Sequence, residues 1–163
     1  MHIRPYDPEK DEVLLYFAKY REEDVAELTA SNTLLGGDID VNTSVIQSVT
    51  DSGLLGYIAL DEDEQLVGVG GLVVLEGSKV GIPWMVATDL FKKNKLWMIK
   101  AMIRMISLWK AEVSWLVNAV DIRNEPAIKT LEWLGFDFPE GFGYEAGGTW
   151  FRTFRMKGDK QDV

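Results

Sequence analysis

The chain has no cysteine and only one histidine, His2, among its 163 residues. Disulfides, thiol nucleophiles, Ser-His-Asp triads and Cys/His zinc sites therefore lack their usual side chains, and we predict no metal site. Long apolar runs are also missing: none reaches the roughly 18 residues of a membrane span, and the N-terminus has no basic-then-apolar signal pattern. These absences predict a cytoplasmic protein that does not bind a membrane. Its catalysis would use carboxylates, hydroxyls, amides, amines or a cofactor.

Positive charge is scarce, with 17 Lys and Arg against 26 Asp and Glu and a net charge of -9. This balance argues against nucleic-acid binding, whose affinity depends on cations that neutralise phosphates. Residues 90–111 are the exception, because they contain no acid and six bases: Lys92, Lys93, Lys95, Lys100, Arg104 and Lys110. Removing these six charges from -9 leaves -15 on the rest of the chain. The segment is either an anion-attracting surface or the solvated stripe of a mostly buried helix.

The hydrophobic pattern predicts helices before residue 56 and a mixture of strands and helices after it. The predicted elements are a short edge strand over 2–4, one or two helices over 8–28, a helix over 43–49, a hairpin of strands 56–60 and 66–74, a strand over 81–88, a long helix over 94–110, a strand over 115–120, a helix over 124–134 and a closing strand pair at 136–138 and 149–156. We therefore predict one α/β domain over residues 1–157. It has a mixed central sheet, an N-terminal helical part, a long central helix and a strand-helix-strand crossover, followed by a polar, disordered tail at 158–163.

The most specific string is NEPAIKTLEWLGF at residues 124–136. Asn124 is a good N-cap, and Gly135 can adopt the left-handed conformation that ends a helix. Three apolar residues share one helical face: Ile128, Leu131 and Leu134. The string resembles the late motif of the GNAT superfamily of acetyl-CoA-dependent N-acetyltransferases, in which Asn opens a helix, Ala-Ile follows and Gly-Phe ends it. The order of the predicted elements is similar to the GNAT fold over nearly the whole chain.

This resemblance implies acetyl-CoA as the cofactor and an amine acceptor that attacks it directly. The implied cofactor-binding residues are Met85, Val86, Ala87, Lys92, Lys93, Asn94, Lys95 and Asn124. The first three would pair with the pantetheine arm through their strand backbone. The next four would hold phosphates at the start of the long helix, and the last would face the same cleft.

Three positions differ from the family pattern. Residues 91–96 contain no glycine, although the family's phosphate turn uses glycine so that its backbone can approach the phosphates. Leu131 replaces a Tyr that protonates the leaving thiolate in many members. Tyr144 is the nearest substitute in sequence, unless it is only packed or exposed. The strand before the long helix has no carboxylate, so Asp89 is the predicted catalytic base, unless it simply pairs with Lys92 or Lys93.

A narrower resemblance is to GNAT-like internal virion proteins of short-tailed bacteriophages. It is carried by WMVATD at 84–89, WLVN at 115–118 and FRTF at 151–154. It implies a non-catalytic assembly protein of the host cytoplasm or the virion, and the six tryptophans would suit a partner surface. Two hypotheses thus stay open: an N-acyltransferase with an unknown amine acceptor, and a GNAT-fold protein without catalysis that binds a protein partner.

Overall fold

The computed structural model describes residues 1–161. Their strands are β1 (His2–Pro5), β2 (Gly56–Leu60), β3 (Leu66–Val74), β4 (Val80–Ala87), β5 (Trp115–Asp121), β6 (Gly143–Ala146) and β7 (Thr149–Lys157). Their helices are α1 (Pro8–Tyr16), α2 (Glu22–Asn32), α3 (Val41–Ser52), α4 (Leu90–Lys93), α5 (Lys95–Glu112) and α6 (Glu125–Trp133). The predicted α/β class and the long central helix are confirmed. No helix in this part of the chain is both long and apolar enough to cross a membrane.

The strands form one mixed sheet in the order β1-β2-β3-β4-β5-β7-β6. Only β4 and β5 are parallel, because α4 and α5 form the crossover between them. These two strands share just the pairs Val80–Trp115 and Gly81–Leu116, whereas β4 pairs with β3 along seven residues. The sheet therefore has two arms, β1–β4 and β5–β7, which are joined at one end and separate at the other.

Pro83 ends the pairing between the arms. The Asn118 side chain on β5 donates from Nδ2 to the Pro83 carbonyl oxygen at 2.8 Å, so this carbonyl faces β5. The backbone nitrogen and oxygen of a strand residue are directed to the same neighbouring strand. The Pro83 nitrogen therefore also faces β5, and it has no hydrogen to donate. A side-chain amide thus bridges the arms at the place where the backbone ladder stops.

The helices cover both faces of the sheet. On one face, α1 and α3 pack on the first arm through a buried cluster that includes Leu15, Val49 and Ile58. On the other face, α5 and α6 pack on the sheet through a second cluster, which includes Met105 and Leu116. Helix α2 lies on the face of α1 and α3. Asp24 near its start accepts from the Ala87 N–H of the first arm, and Ala30 near its end packs with Ala146 and Phe151 of the second arm.

The closing strand pair differs from the prediction. Residues 136–138 form no strand, since only Asp137 makes a single bridge, with Arg155. The strand that forms the closing hairpin with β7 is β6, and the two are joined by Gly147-Gly148 with φ of 56° and 77°. Two positive φ values in a two-residue turn are typical of a type I′ hairpin, for which glycine is well suited.

The long helix and the C-terminal segment also differ in detail. Asn94, with φ of -112° and ψ of 18°, separates the short helix α4 from α5. Beyond β7, the Gly158 N–H donates to the Ser114 carbonyl at 2.7 Å and the Asp159 N–H to the Lys110 carbonyl at 2.8 Å. The tail predicted at 158–163 thus begins as part of the fold, and positions 162 and 163 lie outside the described residues.

The bridge between the arms can be tested with Asn118→Ala. The change leaves the Pro83 carbonyl and the Ala119 N–H, which donates to Asn118 Oδ1 at 2.8 Å, without these partners. We expect the free energy of unfolding to fall by about 1–3 kcal/mol in urea titrations. The control is Gln47→Ala, which removes an exposed hydrogen bond from the Gln47 side-chain amide to Asp51. It should lower the free energy of unfolding by less than about 0.5 kcal/mol. Equal effects of the two variants would show that the bridge does not stabilise the junction.

Candidate functional site

A cleft of about 1030 Å³ lies where β4 and β5 separate. Met85 of β4 and Asn118 of β5 line it, together with Leu28 of α2 and Ile106 of α5. Because α2 and α5 lie on opposite faces of the sheet, the cleft passes between the arms from one face to the other. Its volume is at the upper end of the usual range for small-molecule sites.

Glu27 of α2 is the titratable group of the cleft with the clearest functional chemistry. Burial raises its pKa to about 7, and repulsion by Asp24 and Asp121 acts in the same direction. The Asn124 Nδ2 group donates to Glu27 Oε2 at 2.9 Å, which opposes the shift without cancelling it. A carboxylate with a pKa near 7 suits general-base catalysis at neutral pH. The sequence analysis did not single out this residue.

Asn124 is buried and holds Glu27 in place. Its Oδ1 accepts from the Ala127 N–H at 3.3 Å, which caps α6 as predicted, while its Nδ2 donates to Glu27. Asn124 also lines the cleft. Both the Oδ1 and the Nδ2 of Asn124 are thus hydrogen-bonded within the protein, so the main effect of this side chain is to connect the start of α6 to Glu27 on α2. The cofactor contact expected of Asn124 stays a prediction.

Asp121 keeps a negative charge close to Glu27. Burial disfavours the Asp121 carboxylate, but hydrogen bonds from Arg123 and Thr149 prevail and lower its pKa. Arg123 binds both carboxylate oxygens, and the Thr149 hydroxyl donates to Oδ1 at 3.0 Å. Asp121 therefore stays ionised at neutral pH and disfavours a second charge on Glu27.

Tyr144 lies on β6 and lines the same cleft. Its ring stacks on Phe151 with centroids 5.2 Å apart. Burial raises the Tyr144 pKa, and the charge of Glu27 raises it further. Tyr144 is therefore protonated at neutral pH and can donate a proton. The structure brings this predicted residue together with Glu27.

Asp89 is not among the residues that line the cleft. Its side chain is 82% exposed and pairs with Lys92 at 3.4 Å, which is the alternative that the sequence left open. Glu27 is the better-placed base, because it is half-buried in the cleft whereas Asp89 faces solvent.

The predicted cofactor residues of β4 divide into two groups. Met85 and Val86 line the cleft, but Ala87 does not. The Ala87 N–H donates to Asp24 Oδ2 at 2.9 Å, and its carbonyl accepts from the Arg21 N–H at 2.9 Å. The start of α2 therefore occupies the backbone groups of Ala87 that were expected to pair with pantetheine.

Met85 keeps its backbone groups directed toward the gap. Both Pro83 and Ala87 face the side of β5, and Met85 lies two residues from each, so the strand period gives it the same direction. No β5 residue pairs with β4 beyond Gly81, so this edge of the strand is available to an extended amide chain.

The predicted phosphate turn lacks a backbone cradle. Lys92 and Lys95 line the cleft, whereas Lys93 and Asn94 do not. The Asn94 Nδ2 group donates back to the Leu90 carbonyl at 3.0 Å. The residues present thus fit a pantetheine thioester along Met85, with the phosphates held by lysine side-chain charge instead of glycine backbone.

No protein-family profile matches the chain, and no curated protein is similar to it in sequence. Solved structures are similar, among them GNAT-family acetyltransferases of Streptococcus pneumoniae and Bacillus anthracis. The first is 14% identical with a TM-score of 0.63 over 97% of this chain and 99% of that chain. The second is 13% identical with a TM-score of 0.63 over 95% and 93%. A chimera of the Vibrio cholerae spermidine N-acetyltransferase SpeG and hSSAT is 10% identical, with a TM-score of 0.62 over 96% of both chains.

These similarities show that the chain has the GNAT fold, as the sequence motif at 124–136 predicts. They do not support the narrower resemblance to internal virion proteins, which stays a prediction.

The charge on Glu27 should lower stability at alkaline pH. Its pKa rises from 4.5 to about 7 on folding, so the folded state loses stability as pH increases through this interval. Glu27→Gln cannot ionise and can still accept the Asn124 hydrogen bond. We expect the variant to exceed the wild type by up to about 3 kcal/mol in free energy of unfolding at pH 8, and by less than about 1 kcal/mol at pH 5. Urea titrations at both pH values measure this difference.

The matched control is Glu22→Gln, an exposed acid at the start of the same helix. Its effect should stay within about 0.5 kcal/mol at both pH values. A pH-independent effect of Glu27→Gln would contradict the raised pKa.

Proposed function

We propose that this protein is an N-acyltransferase that moves the acyl group of a CoA thioester, acetyl-CoA being the simplest, to a primary amine. The observation that carries the proposal is Glu27, which has a pKa of about 7 and lines the same cleft as Tyr144, so that a base and an acid are available together. When bound, the thioester supplies an activated carbonyl carbon.

Glu27 and Tyr144 divide the proton transfers of this reaction. The Glu27 carboxylate accepts the proton that the amine loses as its nitrogen bonds to the carbonyl carbon. Tyr144 donates its hydroxyl proton to sulfur as the carbon–sulfur bond breaks. The proton on Glu27 then restores Tyr144, whose pKa already responds to the charge of Glu27. The products are an amide and a free thiol, and both side chains regain their starting states.

Backbone and lysine groups orient the reactants. The Met85 backbone would pair with the pantetheine amides, while Lys92 and Lys95 would attract the phosphates at the start of α5, since all three residues line the cleft. Holding both reactants in one cleft removes several kcal/mol from the barrier, so moderate acid–base groups suffice.

A second candidate is a GNAT-fold protein without catalysis that acts in interaction or assembly, as the phage resemblance implies. One specific observation favours it: the Ala87 backbone is already bound by Arg21 and Asp24. The absence of glycine from residues 91–96 also favours this second candidate, because the backbone there cannot approach phosphates closely.

Calorimetric titration with acetyl-CoA separates the two candidates. We expect micromolar binding, and at least tenfold weaker binding in a Lys92→Ala/Lys95→Ala double variant, because both lysines line the cleft. Lys100→Ala/Arg104→Ala removes the same charge from exposed positions of α5 outside the cleft and should change binding by less than threefold. No binding of acetyl-CoA or of a longer acyl-CoA at millimolar concentration would refute the proposal and favour the second candidate.

Thiol release measured with a panel of primary amines tests the base. We expect Glu27→Gln to lower kcat/KM at least 100-fold and to abolish a rise in rate centred near pH 7. Tyr144→Phe should lower kcat with a smaller effect on KM. Asp89→Asn is the control and should stay within twofold of the wild type, because this residue faces solvent. A large loss in Asp89→Asn with little loss in Glu27→Gln would assign the base to Asp89.

A further inference from the structure

The inner end of the cleft, on the face of α5 and α6, is apolar. Its lining comprises Ile106, Trp109, Leu131, Leu134, Phe136 and Phe154, which we term the inner chamber. Charged residues line other parts of the cleft, among them Glu27, Lys92 and Lys95. The character of the lining thus changes from charged to apolar along one continuous cavity.

The chamber is far from the predicted phosphate site. Lys95 and Trp109 lie fourteen residues apart on α5, which corresponds to roughly 21 Å at 1.5 Å per residue. Both line the cleft, so the cavity extends along most of the helix. An acetyl group has a single methyl to bury, whereas six large apolar side chains surround the chamber. A longer chain would use this surface.

We propose that the inner chamber binds the chain of a medium-length acyl group. The inference rests on the proposed function, because the chain enters as the acyl part of the donor thioester. It names the donor class as acyl-CoA with a chain of several carbons. Transfer follows the same bond changes as for acetyl, with the longer amide and free CoA as products.

Calorimetry with acetyl-CoA and octanoyl-CoA tests the proposal without turnover. Each buried methylene contributes about fourfold in affinity, so octanoyl-CoA should bind at least 100-fold more tightly than acetyl-CoA. Equal affinity for acetyl-CoA and octanoyl-CoA would overturn the proposal.

Two substitutions on α5 provide a matched pair. Ile106→Trp fills the chamber, whereas Ile103→Trp adds the same ring at a position that is 47% exposed and does not line the cleft. The first should lose the preference for octanoyl-CoA over acetyl-CoA, and the second should keep the wild-type preference. Ile106 is buried, so thermal unfolding is recorded in parallel. If Ile106→Trp does not fold, Leu131→Phe narrows the chamber from α6 and replaces it.

Free octanoate separates failure of this proposal from failure of the proposed function. If no CoA thioester of any chain length binds, the proposed function fails, and quenching of tryptophan fluorescence by octanoate then tests the chamber alone. If octanoate quenches the wild type and Ile103→Trp but not Ile106→Trp, the result would support binding of an acyl chain in the chamber. Absence of quenching in the wild type, together with absence of thioester binding, would overturn it as well.

Discussion

The missing amide hydrogen of Pro83 is the constraint on which the rest of the molecule depends. Because this nitrogen faces β5 and cannot donate, the parallel ladder stops after two residue pairs and the arms of the sheet separate. Asn118 limits the separation by reaching across to the Pro83 carbonyl. The cleft, its passage through the sheet and the open edge at Met85 all follow from that interruption.

Helix α2 crosses the open end of the gap and contacts both arms. Asp24 binds the end of β4 through the Ala87 N–H, and Glu27 binds the start of α6 through Asn124. The same helix therefore tethers the arms and supplies the acid of the cleft. Burial raises the pKa of Glu27, and the charges of Asp24 and Asp121 raise it further, so a residue that ties the arms together also titrates near neutrality.

The sequence predicts those parts of this arrangement that have local causes. The capped helix after Asn124 and its positive-φ end at Gly135 are confirmed, because cap and glycine act within a few residues. The β6–β7 hairpin was missed although Gly147-Gly148 is a hairpin signal. Glu27 has no such signal: in sequence it belongs to an acid-rich helix that looks solvated. Its pKa is raised by burial in the folded cleft and, in part, by Asp121, which lies almost a hundred positions away.

The short junction between the arms has a consequence for amide hydrogen exchange. In most sheets the outer strands exchange fastest and the central strands slowest. Here β4 and β5 are central, yet beyond Gly81 and Leu116 the amides that face the gap have no ladder partner on the opposite arm. The Ala87 and Ala119 amides donate to side chains instead, but the Met85 amide at the centre of the sheet lacks a strand partner on the side of the gap. A ligand that pairs with the edge of β4 would slow exchange of the Met85 amide without any change in the fold.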